Sequence, residues 1–154
     1  MSSVATIKKN VDPPHLEVKG GRPLSGVLKV SGAKNSSLVL MAAALLTKEK
    51  LLINNVPKLT DIEVMSEILR NLGAKLTKTN NSIEINSESI HNAELPYQLV
   101  HSLRASFFCV GPLLTRLGEA KIPLPGGCNI GARPVDEHIN DLKALGAEVE
   151  VKND

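Results

Sequence analysis

Tryptophan is absent from this sequence, and one tyrosine and two phenylalanines supply all of its aromatic rings. With 154 residues, 42% of them apolar, the chain has hydrophobic material for one ordinary domain, so its core is expected to be aliphatic. Long apolar runs are missing as well: no stretch approaches the roughly 18 consecutive apolar residues of a membrane span. The opening MSSVATIKKNVDPP has no apolar run behind its lysines. It is read as a disordered, proline-stiffened polar tail over residues 1–15 rather than a secretory signal. Charge of one sign is not in excess. The formal net charge of +2 argues neither for nor against a nucleic-acid partner, and none is expected. The only cysteines, Cys109 and Cys128, do not make a metal-type pair. Cys109, inside Phe107-Phe108-Cys109-Val110, reads as a buried thiol. A cytoplasmic protein with reduced thiols and no membrane partner is the expectation.

Apolar alternation predicts short strands at 16–18, 27–30, 51–53, 75–78, 83–85, 121–124 and 148–151. Helical patterns lie between them. Residues 34–46 are rich in Ala and Leu, without Gly or Pro. Residues 61–72 set Ile62, Met65, Ile68, Leu69 and Leu72 on one face. A capping box is predicted at its start, with Thr60 as cap and Glu63 reaching back to it, and Gly73 is the expected stop. Residues 97–117 are helical in pattern, with a kink or break predicted at Gly111-Pro112. Residues 134–145 open on a proline, end at Gly146 and are expected to bury Ile139, Leu142 and Leu145.

Two stretches repeat. Ile68-Leu69-Arg70-Asn71-Leu72-Gly73-Ala74-Lys75-Leu76 matches Asp141-Leu142-Lys143-Ala144-Leu145-Gly146-Ala147-Glu148-Val149, and Leu45-Leu46-Thr47 matches Leu113-Leu114-Thr115. Each copy reads helix, strand, loop, helix, strand. A period of about 70 residues is too long for a solenoid and suits a domain of repeated βαβ-type units. The expected division is a first unit at 16–88 and a second at 89–154, which stops before the hairpin partner that 83–85 supplies in the first.

Four segments carry candidate chemistry. Ser31-Gly32-Ala33-Lys34-Asn35-Ser36-Ser37 runs from a predicted strand through glycine into a helix. Free N–H groups at such a start attract anions, and Lys34 adds a full charge. The glycine spacing of a P-loop is absent, and a solvated surface lysine is the plain alternative. Pro123-Leu124-Pro125-Gly126-Gly127-Cys128-Asn129-Ile130-Gly131-Ala132-Arg133 is a glycine-rich surface loop with a thiol. It is either a loop that closes over substrate with an activated cysteine or a long turn with an incidental one. Arg133-Pro134-Val135-Asp136-Glu137-His138 opens a helix at which Asp136 can cap, or at which an arginine and an aspartate can hold a uracil ring and its diphosphate. Arg104, on an otherwise apolar face, calls for an anionic partner. His15, His91 and His101 have no constellation around them, and His138 reads as a surface histidine.

Together these segments resemble the UDP-N-acetylglucosamine enolpyruvyl transferases, or 1-carboxyvinyltransferases. The matching motifs are Gly20-Gly21-Arg22-Pro23-Leu24, Ser31-Gly32-Ala33-Lys34-Asn35, Leu103-Arg104-Ala105-Ser106 and Pro125-Gly126-Gly127-Cys128-Asn129-Ile130-Gly131-Ala132-Arg133-Pro134-Val135-Asp136. The resemblance implies an α/β (α+β) fold of repeated βαβαββ units, forming an inside-out α/β barrel that is incomplete in this chain. It implies that Lys34 and Asn35 contact phosphoenolpyruvate and the sugar, and that Arg104 lines the site. By the same resemblance Cys128 is a proton donor that also forms an adduct with phosphoenolpyruvate, and Arg133, Pro134, Val135, Asp136 and Glu137 hold the uridine part of the nucleotide sugar. Two positions depart from the pattern: Phe108 stands where some members have tryptophan, and Glu137 where an apolar residue is common.

The implied reaction is addition then elimination. The sugar 3-hydroxyl attacks C2 of phosphoenolpyruvate while C3 is protonated, and phosphate then leaves. Cations stabilise the charge that develops, and no metal or organic cofactor is required. The general base is expected in a C-terminal half of the family fold that this chain lacks. Two alternatives stand beside this one. The sister shikimate-phosphate enzyme should show a Lys-Ser-x-Ser-Asn-Arg type start and no cysteine loop. A non-catalytic nucleotide-sugar or anion-binding fragment would bind without turnover.

Overall fold

The computed structural model describes residues 16–21, 23–123 and 135–151. Contacts divide the chain into two units, Met1–Val30 and Ser31–Asp154. The described residues of the first unit form no regular element. The strands predicted at 16–18 and 27–30 are therefore not formed, and Leu16, Val18, Val27 and Val30 are exposed. A strand exists through ladder hydrogen bonds to a neighbour, and none is present among the described residues of this unit.

The second unit opens with α1 (Lys34–Ala43), continued by a 3-10 turn at Ala44–Leu46. It then runs through β1 (Lys50–Asn54), α2 (Thr60–Asn71), β2 (Lys75–Lys78) and β3 (Ser82–Asn86). The sheet order is β1-β3-β2 and both pairings are antiparallel. β1 and β2 are consequently parallel, joined through α2, with β3 inserted between them: a split βαβ unit. Register aligns Leu51, Ile85 and Leu76 in one row and Ile53, Ile83 and Lys78 in the next. These rows make the covered face, and Lys78 at its margin pairs with Glu63 of α2.

All five residues assigned to the inner face of α2 (Ile62, Met65, Ile68, Leu69 and Leu72) are buried to 2% exposure or less. They join Met41 and Leu45 from the α1 stretch, Ile85 from β3 and Leu113 in a core without an aromatic ring. Ser37, Ser66 and Ser106 are tolerated there because each hydroxyl donates to a carbonyl three or four residues back. Arg116 ties the later half of the unit to the earlier one. Its Nη1 donates to the carbonyls of Leu45 and Thr47 at 2.9 Å, and its Nη2 to that of Ser87 at 3.3 Å.

The capping box does not form. Leu59 holds the N-cap position without a side-chain bond, its carbonyl accepts from the Ile62 and Glu63 amides, and the Glu63 carboxylate is engaged by Lys78. The stop at Gly73 does form. With φ at +102°, Gly73 donates to Arg70 and Ala74 to Leu69, which is a Schellman closure. The second copy repeats it at the end of α5 (Asp136–Ala144): Gly146 has φ +96° and donates to Lys143, while Ala147 donates to Leu142.

Between these copies lie α3 (Tyr97–Ser102), a 3-10 segment at Arg104–Cys109 and α4 (Val110–Leu117). The predicted break falls at Leu103, which is extended, and not at Gly111-Pro112. Pro112 sits in the first turn of α4, where no intrahelical N–H is required of it. Two further expectations fail in the second copy. Residues 121–123 make only an isolated parallel bridge, Glu94 to Lys121, and residues 147–151 form no strand. As a result α5 buries nothing fully: Ile139 and Leu142 are half-buried, and Leu145 is 85% exposed. Its counterpart Leu72 is sealed at 0% in the core cluster that also holds Ile83 and Ile85 of β3; among the described residues no such hairpin follows α5.

Candidate functional site

The loop before α1 is positioned by a close approach. A β-carbon on Gly32 would be driven into the Asn55 carbonyl, with the carbonyl carbon 2.8 Å away. Asn55 itself takes a left-handed conformation at φ +57° as the chain leaves β1. Only glycine lets these two turns touch. The contact fixes where α1 begins, and Lys34 and Asn35 are its first two residues. No side chain caps this start and its first turn holds no acid. The Ala33 carbonyl accepts from both the amide and the hydroxyl of Ser37. Lys34 Nζ donates to Asp61 Oδ2 of α2 at 2.6 Å. The two side chains are 45% and 36% exposed, so the pair contributes only about 0.2–1 kcal/mol.

Arg104 opens the 3-10 segment, which packs against α1. It lines a cavity of about 210 Å³ with Ala105, Phe107, Phe108, Val135 and His138. The Phe107 and His138 rings meet at 5.4 Å, tilted by 54°. Of the predicted site residues, the structure therefore brings Arg104 and Val135 together, and it sets Lys34 and Asn35 on the neighbouring helix start. Asp136 and Glu137 are exposed first-turn residues of α5. Asp136 is not its cap: Val135 holds that position, and its carbonyl accepts from the Ile139 amide. Cys128, Arg133 and Pro134 lie outside the described residues.

The repeat makes these two corners counterparts. The register that aligns Leu45 with Leu113 sets Ser36 against Arg104, and the register that aligns Leu69 with Leu142 sets Ile62 against Val135 and Asp61 against Pro134. The two cations are not themselves aligned, since the same register sets Lys34 against Ser102, but each lies at the start of its helical segment. Sequence reasoning passed over Asp61 as a helix-start residue and His138 as a surface histidine. The repeat register was the signal available for Asp61; for His138 the helical spacing from Val135 was the only one.

Cys109 is fully buried, and burial pushes its thiol from 9.0 up to about 12. At pH 8 that leaves about one thiolate in ten thousand, so native iodoacetamide labelling is expected to spare Cys109 until urea unfolds the chain. Labelling of Cys109 in folded protein, read by peptide mass spectrometry, would contradict this. The same burial sets a pH dependence. Below pH 9.0 the thiol is protonated in both states; above it the unfolded chain ionises and the fold does not, so stability falls as pH rises towards 12.

In architecture the unit is an α/β domain with Lys34 at the start of α1 and Arg104 at the start of the 3-10 segment. It superposes on the enolpyruvyl transferase NikO from Streptomyces tendae with a TM-score of 0.72 and 26% identity, over 88% of this chain and 29% of that one. Residues 18–154 match the family model described as EPSP synthase (3-phosphoshikimate 1-carboxyvinyltransferase), and the chain belongs to that family. Over all 154 residues it is 93% identical to proteins named UDP-N-acetylglucosamine 1-carboxyvinyltransferase from Prochlorococcus marinus strains NATL1A and NATL2A. A relative of the same name from strain MIT 9301 is 58% identical over 147 residues. The chain spans about a third (34%) of the length of the NATL1A and NATL2A proteins.

Proposed function

We propose that the protein to which this sequence contributes transfers enolpyruvate from phosphoenolpyruvate to the 3-hydroxyl of UDP-N-acetylglucosamine, the first committed step of peptidoglycan synthesis. The observation that carries the reading is 93% identity, over every residue of the chain, to proteins of that name. Residues 16–88 and 89–154 serve as two copies of one unit, each giving a helix start to the cleft. Lys34 and Asn35 contact phosphoenolpyruvate and the sugar, where ammonium and helix N–H groups offset the charge of the anion. Arg104 lines the site, and the segment Arg133, Pro134, Val135, Asp136 and Glu137 holds the uridine part of the nucleotide sugar, a reading supported by the cavity that Arg104 and Val135 share. Cys128 donates the proton to C3. The reaction takes place in the cytoplasm, where both substrates are soluble; no helix among the described residues is long and apolar enough to cross a membrane.

The test uses the protein at the full length of its relatives. Phosphate release is measured with UDP-N-acetylglucosamine and with shikimate 3-phosphate as alternative acceptors, and the product is weighed by mass spectrometry. Turnover with the nucleotide sugar alone supports the reading. Turnover with shikimate 3-phosphate instead would replace it with the sister activity after which the family model is named. Fosfomycin, an epoxide, should then add to Cys128, and Cys128→Asp should block labelling while retaining a proton donor.

A further inference from the structure

Lys34 shares its corner with a carboxylate that the proposed chemistry does not use. We propose that Asp61 is an internal counter-ion that holds the Lys34 ammonium while the corner is empty and yields it to an arriving phosphate or carboxylate. The proposal rests on Lys34 being an anion contact.

Three observations carry it. The 2.6 Å contact joins two helices whose starts meet, so Asp61 reaches Lys34 from a second element. The Asp61 carboxylate makes no cap on its own helix, where Leu59 holds that position without a side-chain bond. Both side chains are more than a third exposed, so the pair is weak enough for a doubly charged anion to displace.

Gly32 against Asn55 fixes the start of α1, but the four-carbon stem of Lys34 can swing its ammonium without moving the helix. Asp61 therefore sets where the ammonium waits, and its negative charge weakens anion binding in exchange for that placement. It acts through Lys34 as a positioning residue.

Inorganic phosphate is the probe. The 154-residue chain is titrated at fixed ionic strength, and the backbone amides of Asn35 and Ser36 are followed by NMR. Lys34→Ala should weaken binding about tenfold. Asp61→Asn should tighten it about fivefold, since the ammonium no longer has to be drawn off a carboxylate before it meets the anion. Asp61→Ser should do the same, which guards against an effect of one side chain's shape. In a Lys34→Ala background, Asp61→Asn should add less than about twofold. Weaker or unchanged binding in both Asp61 variants, with Lys34→Ala still damaging, overturns the counter-ion role and leaves the Lys34 reading intact. An affinity unmoved by Lys34→Ala, or no phosphate response in the unaltered chain, overturns both.

Discussion

Given phosphoenolpyruvate and UDP-N-acetylglucosamine, the 154-residue chain alone is expected to release phosphate no faster than buffer does. The reason lies in how such a transfer is accelerated. Two substrates must be held in attack geometry, and the charge developing on phosphate and carboxylate must meet fixed cations. Orientation by itself is worth about 7–11 kcal/mol in well-built sites. Here Lys34, Asn35, Arg104 and Val135 lie on helix starts within one unit, and the chain spans 34% of its NATL1A relative. The expected deficit is a factor of at least about a thousand, the scale on which lost orientation and water exclusion slow such a transfer. A phosphate-release assay at high protein concentration decides the matter. Turnover above background that vanishes with Cys128→Ala would mean that this unit carries a general base of its own. Binding without turnover is the expected result, and it separates the family's reaction from what this stretch does alone.

Gly32→Ala should be among the most damaging single substitutions in the unit, although it adds one methyl group. That methyl would overlap the Asn55 carbonyl, and Asn55 is already in a left-handed conformation with little freedom to retreat. Forcing apart well-packed groups costs about 1–3 kcal/mol, and here the obstacle is backbone instead of a flexible side chain. Urea denaturation should show a loss of about 2–3 kcal/mol. Gly111→Ala is the internal control. It places the same methyl in a helix with nothing within 4 Å, so it should be neutral or stabilising by up to about 1 kcal/mol. Opposite signs from one chemical change would locate the effect in the contact with Asn55. Equal small effects would mean that the loop before α1 yields, and that the start of α1 is not fixed by Gly32. The phosphate response of Asn35 should weaken together with stability in Gly32→Ala.

The aliphatic core, the strands around 51–53, 75–78 and 83–85, the inner face of α2 and the paired glycine stops at Gly73 and Gly146 were all determined by the sequence alone. They depend on local periodicity, or on a backbone conformation that glycine adopts at low cost. Family membership was equally legible, because the run from Pro125 to Asp136 is long and specific. Tertiary structure decided the rest. Alternating residues at 16–18, 27–30 and 148–151 have strand chemistry, but no ladder partner is present among the described residues, so the pattern has nothing to pair with. Leu72 and Leu145 occupy the same place in the repeat, yet one joins the core cluster and the other is exposed. Thr60 and Glu63 spell a capping box, yet Lys78 from the next strand takes the Glu63 carboxylate. Asp61 reads as an ordinary first-turn acid until the fold sets it against Lys34, 27 residues earlier. Local pattern fixes which residues are able to act; long-range packing chooses their partners, because burial and ion pairing depend on what the chain brings alongside.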